Sequence, residues 1–146
     1  MKVLIVDDLD FKRKRIKDYV KNILTDVEFE EFSCGRDMLN YLRPYYLNEK
    51  DKDNLKDILL FLDWNFPLYK NEMPNVGEGM TILFHIDRRK LPLKTIIVSS
   101  DDVELDEDYP FVLGTIKDDS SVYQQPIYEE YIKQFKERED ILWDME

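Results

Sequence analysis

Three aspartates stand where buried hydrophobic runs stop. KVLIV, Lys2 to Val6, is followed at once by Asp7 and Asp8, and ILLFL, Ile58 to Leu62, is followed by Asp63. A third run, Lys94 to Ser100, ends in the hydroxyls of Ser99 and Ser100. Continuous apolar runs of this length suit strands covered on both faces of a parallel sheet. Carboxylates gathered at the ends of such strands repel one another unless a positive group joins them. A hard divalent cation with oxygen ligands is the simplest answer, and Mg2+, which takes one or two carboxylates together with water and phosphate oxygens, suits Asp8 and Asp63 best, with Asp7 acting directly or through water. A carboxylate can also accept a phosphoryl group while a metal neutralises the transferring oxygens, and Ser99 could donate a hydrogen bond to one of them. Any one acid after a strand is commonly a cap or a solvated end. Three together are not.

The elements needed to bring these residues together are present in order. Phe11 to Leu24 places Ile16, Tyr19, Val20, Ile23 and Leu24 at helical spacing between basic residues. Val27 to Phe32 is a short strand, and Met38, Leu39, Leu42 and Tyr46 mark a helix that Pro44 kinks or shortens. Asn48 to Asp57 is charged and patternless. A helix is expected over Met80 to Arg89, a last strand over Ser121 to Gln125, and a C-terminal helix carrying Tyr128, Tyr131, Ile132, Phe135 and Leu142. Asp101 to Asp108 holds six acids and no base, too acidic for a packed helix. Strand and helix thus alternate five times, the fourth helix being short or irregular. Alternation of this kind requires right-handed crossovers and gives a parallel sheet with helices on both faces, whose ligands sit beyond the carboxyl ends of the strands. Asp7, Asp8, Asp63 and Ser99 all fall on that rim.

Composition excludes several alternatives. The 146 residues are enough for one core and leave nothing for an effector domain, and a net charge of -11 disfavours direct contact with nucleic acid, whose backbone rewards dense Lys/Arg surfaces. The one cysteine, Cys34, can form no internal disulfide, and no leader-like or membrane-spanning apolar run occurs. The expectation is a cytoplasmic protein that does not engage a membrane. Cys34 reads as a small buried or turn residue, and His85, inside a helical pattern, as packing or surface. The basic run Lys12 to Lys17 reads as the solvated face of the first helix.

LIVDD, Leu4 to Asp8, followed by the basic helix resembles the opening of bacterial response-regulator receiver domains, and LDWNFP, Leu62 to Pro67, resembles their phospho-acceptor motif. The similarity is clear over residues 1 to about 100 and loose beyond. It implies a flavodoxin-like α/β fold, a (βα)5 doubly wound sheet in the order 2-1-3-4-5, with residues 1–146 as one receiver domain and no output domain. It further implies Asp63 as the phospho-acceptor, with Mg2+ held by Asp7, Asp8, Asp63 and the backbone carbonyl of Asn65. Ser99 takes the switch hydroxyl position and Ser100 the small residue after it.

Two departures stand out. Receivers carry a lysine just before a proline at the end of strand five, whose ammonium stabilises the phosphoryl oxygens. The matching dipeptide here is Gln125-Pro126, which brings no charge and by the same resemblance would be a cis bond. Lys117 is an alternative if the strand register is shifted, although Asp118 rather than proline follows it. The connection from Pro67 to Gly79 is longer than the family's turn, so it is a lid, a source of a substitute cation in Lys70, or a tolerated insertion.

The resemblance implies a two-component receiver in a phosphorelay. It would take phosphate from a histidine kinase or phosphotransfer protein, catalyse no reaction beyond its own phosphorylation and dephosphorylation, and act by phosphorylation-dependent binding to a downstream protein. A pseudo-receiver that binds proteins without phosphate is the alternative that Gln125 favours. A phosphoester hydrolase of the haloacid-dehalogenase type would need an aspartate two residues after the nucleophile, where Asn65 stands.

Overall fold

The computed structural model describes residues 1–75, 77–105, 107–138, 141 and 143. Five strands form one parallel sheet: β1 Lys2–Val6, β2 Glu28–Phe32, β3 Ile58–Leu62, β4 Lys94–Ser99 and β5 Val112–Lys117. Their spatial order is β2-β1-β3-β4-β5, the doubly wound order expected from the sequence. The helices are α1 Asp10–Lys21, α2 Gly35–Leu42, the short α3 Glu49–Lys52, α4 Glu78–Arg88 and α5 Gln125–Glu137.

Side-chain alternation along the central strands builds two apolar layers. Leu4, Val6, Leu60, Leu62 and Ile97 face Met38 and Leu42 of α2 and Ile82, Leu83 and Ile86 of α4. Val3, Ile5, Leu59, Phe61, Ile96 and Val98 face Ile16 and Val20 of α1 and Tyr128, Ile132 and Phe135 of α5. Because both neighbours of each residue are apolar, β1 and β3 read as unbroken hydrophobic runs.

Local chemistry accounts for the differences from the expected elements. Pro44 ends α2 at Leu42, and a 3-10 turn over Arg43–Tyr45 follows. The charged stretch 48–57 is ordered by the Asn48 side chain, which accepts from Lys50 N at the start of α3, and by Leu55, which is fully buried. Between β4 and β5 the described residues form no helix. Leu142, expected in the last helix, lies outside the described residues, and α5 ends at Glu137.

The last strand is a correction. It runs over Val112–Lys117, not Ser121 to Gln125, because Ile116 turns into the α1–α5 layer and Ser99 pairs with Lys117 in register. Gln125 opens α5, with Pro126 in its first turn, where a missing N–H costs nothing. No cis peptide occurs among the described residues, so Gln125-Pro126 is trans, contrary to expectation.

Candidate functional site

Val6 and Leu62 are register partners on adjacent strands, so the next residues, Asp7 and Asp63, emerge side by side at the carboxyl rim. Their backbones continue the ladder: Asp63 N donates to Val6 O at 2.9 Å and Asp7 N donates to Phe32 O at 3.0 Å. With Asp8, half-buried beside them, they bring carboxylate oxygens within 4.8 Å of one another. Asp7 and Asp63 are almost wholly buried. Each accepts one backbone donor, Leu9 N on Asp7 at 2.9 Å and Trp64 N on Asp63 at 2.8 Å.

Burial pushes the Asp7 carboxyl up to about 6, against the Leu9 N–H and the positive charge of Lys12. Asp63 is pushed up to about 7, first by burial and then by the negative charge of Asp7, while the Trp64 N–H and Lys12 act the other way. Two buried, crowded carboxylates with hard oxygen donors fit a small divalent cation, which would supply the missing charge.

The segment that follows β3 is held from behind by α4. Gly79 N donates to Trp64 O at 2.9 Å, and a Cβ at Gly79 would stand 2.7 Å from the Asp63 carbonyl oxygen. Only glycine allows that approach. Asn65 is clamped on both ends of its side-chain amide, accepting from Gly77 N and donating to Asp101, each at 2.8 Å. Gly77 itself adopts φ 75°, the left-handed conformation glycine permits. In a chain with only four glycines, two within three residues were the available signal for this close packing.

The connection after Pro67 is tied down at its ends. The carbonyls of Pro67 and Leu68 accept from Gly35 N and Arg36 N at the start of α2, both at 2.8 Å, and Phe66 bridges Asn75. Its exposed middle carries Lys70, which with Asp8, Arg13 and Ser33 lines a cavity of about 420 Å³.

The β4–β5 half of the rim differs. Ser99 is buried at the end of β4, and its Oγ accepts from Asp101 N at 3.2 Å. Lys117 occupies the end of β5 but turns outward to Asp102 at 2.9 Å. Gln125 is not at the rim at all. Its Nε2 donates to Tyr19 O at 3.0 Å and its Oε1 accepts from Asn22 at 3.1 Å, about seven residues or roughly 10 Å along α1 from Lys12. It is a staple between α1 and α5, and the role expected of it at a strand end does not apply. Neighbouring Gln124 does similar work, donating to Lys117 O at 2.7 Å. His85 stacks on Tyr46, and burial lowers its affinity for a proton. Cys34 is buried just before α2.

No protein-family model matches the chain, and no curated protein matches it. Solved structures do. A response regulator receiver protein from Pseudoalteromonas atlantica aligns with 94% of this chain and 98% of its own, at 12% identity and a TM-score of 0.61. The response regulatory domain of protein mrkE from Klebsiella pneumoniae aligns over 94% and 96%, at 16% identity and a TM-score of 0.59. RcsB, in a structure of two dimers bound to two parallel DNAs, aligns over 94% of this chain but 64% of its own, at 19% identity and a TM-score of 0.64. The chain has the flavodoxin-like doubly wound fold of response-regulator receiver domains. The acidic cluster lies at the carboxyl rim of that fold.

Proposed function

We propose that the chain is a two-component receiver that accepts a phosphoryl group on Asp63 and changes its affinity for a partner protein. The observation that carries the reading is the convergence of Asp7, Asp8 and Asp63 at one end of β1 and β3 in a receiver fold. An Asp63 carboxylate oxygen attacks the phosphorus of a phosphohistidine on a kinase or phosphotransfer protein. The P–O bond forms as the P–N bond breaks, and its electron pair stays on the departing imidazole, leaving an acyl phosphate. Mg2+ held by Asp7, Asp8, Asp63 and the Asn65 carbonyl would neutralise charge on the transferring oxygens. Ser99 then exchanges its contact with Asp101 N for one to a phosphoryl oxygen. The only chemistry is the chain's own phosphorylation and its reversal. Acidity disfavours nucleic acid as a direct partner, and no described helix is long and apolar enough to cross a membrane.

Incubation with Mg2+ and a small phosphodonor should add one phosphoryl group by intact mass, and Asp63→Asn should abolish it. A pseudo-receiver is the second reading, favoured by Lys117 turning away to Asp102. Unlabelled protein that still binds Mg2+ would select that reading.

A further inference from the structure

The acceptor pocket faces a cation that the family pattern does not provide. Residues Ile5 and Phe61 point into the α1–α5 layer, and continued alternation carries Asp7 and Asp63 to the same side. On α1, Ile16 and Val20 are the buried residues of that layer, and Lys12 stands one turn before Ile16 on the same stripe. A hydrophobic stripe that reaches the rim of the sheet therefore ends in a lysine, next to the carboxylates.

Lys12 is also the uncommitted member of its run. Arg13 donates to Asp7 O and Asp10 and pairs with Glu31, Lys14 pairs with Asp18, Arg15 with Asp118, and Lys17 with Glu31. Lys12 is half-buried and makes no ion pair among the described residues. Its charge nevertheless acts on Asp7 and Asp63 alike. Lys117, at the strand end, is held by Asp102 and acted on by Asp119 and Asp101, on the outer side of the rim.

We propose that Lys12 supplies the ammonium that meets the phosphoryl group on Asp63, taking the place of the strand-five lysine of the receiver pattern. The inference rests on the proposed acceptance of phosphate by Asp63. Transfer spreads negative charge over three equatorial oxygens, and a lysine offers a compact charge with three rotatable donors on a flexible stem. Placed on the first turn of α1, it approaches from the side of the pocket opposite Ser99's strand neighbour Lys117. The pairing of Lys117 with Asp102 then leaves transfer undisturbed.

The test compares Lys12→Met and Lys117→Met in the full chain with Mg2+ and acetyl phosphate, following labelling by intact mass. Lys12→Met should slow labelling about 100-fold, the loss typical of one oxyanion donor, with Lys12→Arg recovering part of it. Lys117→Met should stay within about twofold. The reverse pattern overturns the assignment. A second measurement needs no phosphate: titration with Mg2+ followed by tryptophan fluorescence, Trp64 lying next to Asp63. Removing a positive charge beside the carboxylates should tighten Mg2+ several-fold in Lys12→Met and leave Lys117→Met unchanged, whereas equal affinities in all three proteins overturn it. If the wild-type chain takes no phosphate, the acceptor reading fails, and a tightening confined to Lys12→Met still upholds Lys12 as the cation facing the pocket.

Discussion

The two halves of the sheet's carboxyl rim are built on different principles. Around β1 and β3, backbone ladder, register and a close glycine contact fix three carboxylates against one another, and burial leaves them short of positive charge. Around β4 and β5, polar groups are already satisfied: Ser99 by Asp101 N, Lys117 by Asp102, and Arg15 by Asp118 at 3.3 Å. One half is poised to bind something, and the other is closed on itself. The unpaired carboxylates thus stand where the strands are most buried, and the β4–β5 half is held by contacts of its own.

The largest effect should come from neutralising the crowded acid. In chelated protein the Asp63 carboxyl keeps its proton up to about 7, whereas the unfolded chain releases it near 3.8. Stability from this group is therefore full below about pH 4 and lost as pH rises through 7. Asp63→Asn should be more stable than wild type at pH 8 by on the order of 3 kcal/mol, with the gap closing towards pH 4 in urea titrations. A gap independent of pH would mean that the two halves are not electrostatically different. Next in size, Gly79→Ala forces a methyl against the Asp63 carbonyl and should cost about 2 kcal/mol in the same assay, because the nearest atom is backbone and cannot swing aside. Mg2+ affinity should fall with it. The smallest effect lies away from the rim: Gln125→Ala loses two hydrogen bonds to the end of α1 and should cost about 1 kcal/mol. Gln125→Lys should leave the labelling rate unchanged, and a faster rate would restore Gln125 to the rim.

How far the sequence reached follows the same division. The β1 and β3 runs are so apolar, and end so abruptly in acids, that topology and the carboxylate cluster were legible from pattern alone. Strand β5 was not. VLGTIK, with a glycine and only Ile116 buried at the sheet edge, carries a weaker signal than the QQP motif, whose likeness to a lysine-proline pair drew the strand's end eight residues downstream. At Gly114 the Tyr131 ring packs where a Cβ would stand, a contact only the fold reveals. Lys12 was hidden for a different reason. Among five basic residues it looked like one more solvated charge, and only the phase of α1 against the sheet separates it from its paired neighbours.

The loop after Pro67 has one further consequence. Its first two carbonyls are the acceptors for the opening amides of α2, and its far end is tied through Gly77 and Gly79 to Asn65 and Trp64, just after β3. The segment after β3, α2 and the start of α4 are therefore joined through backbone hydrogen bonds at the two ends of this loop. A displacement of the Asp63 backbone therefore bears directly on Gly79 and on the start of α4, on the face of the sheet away from α1 and α5.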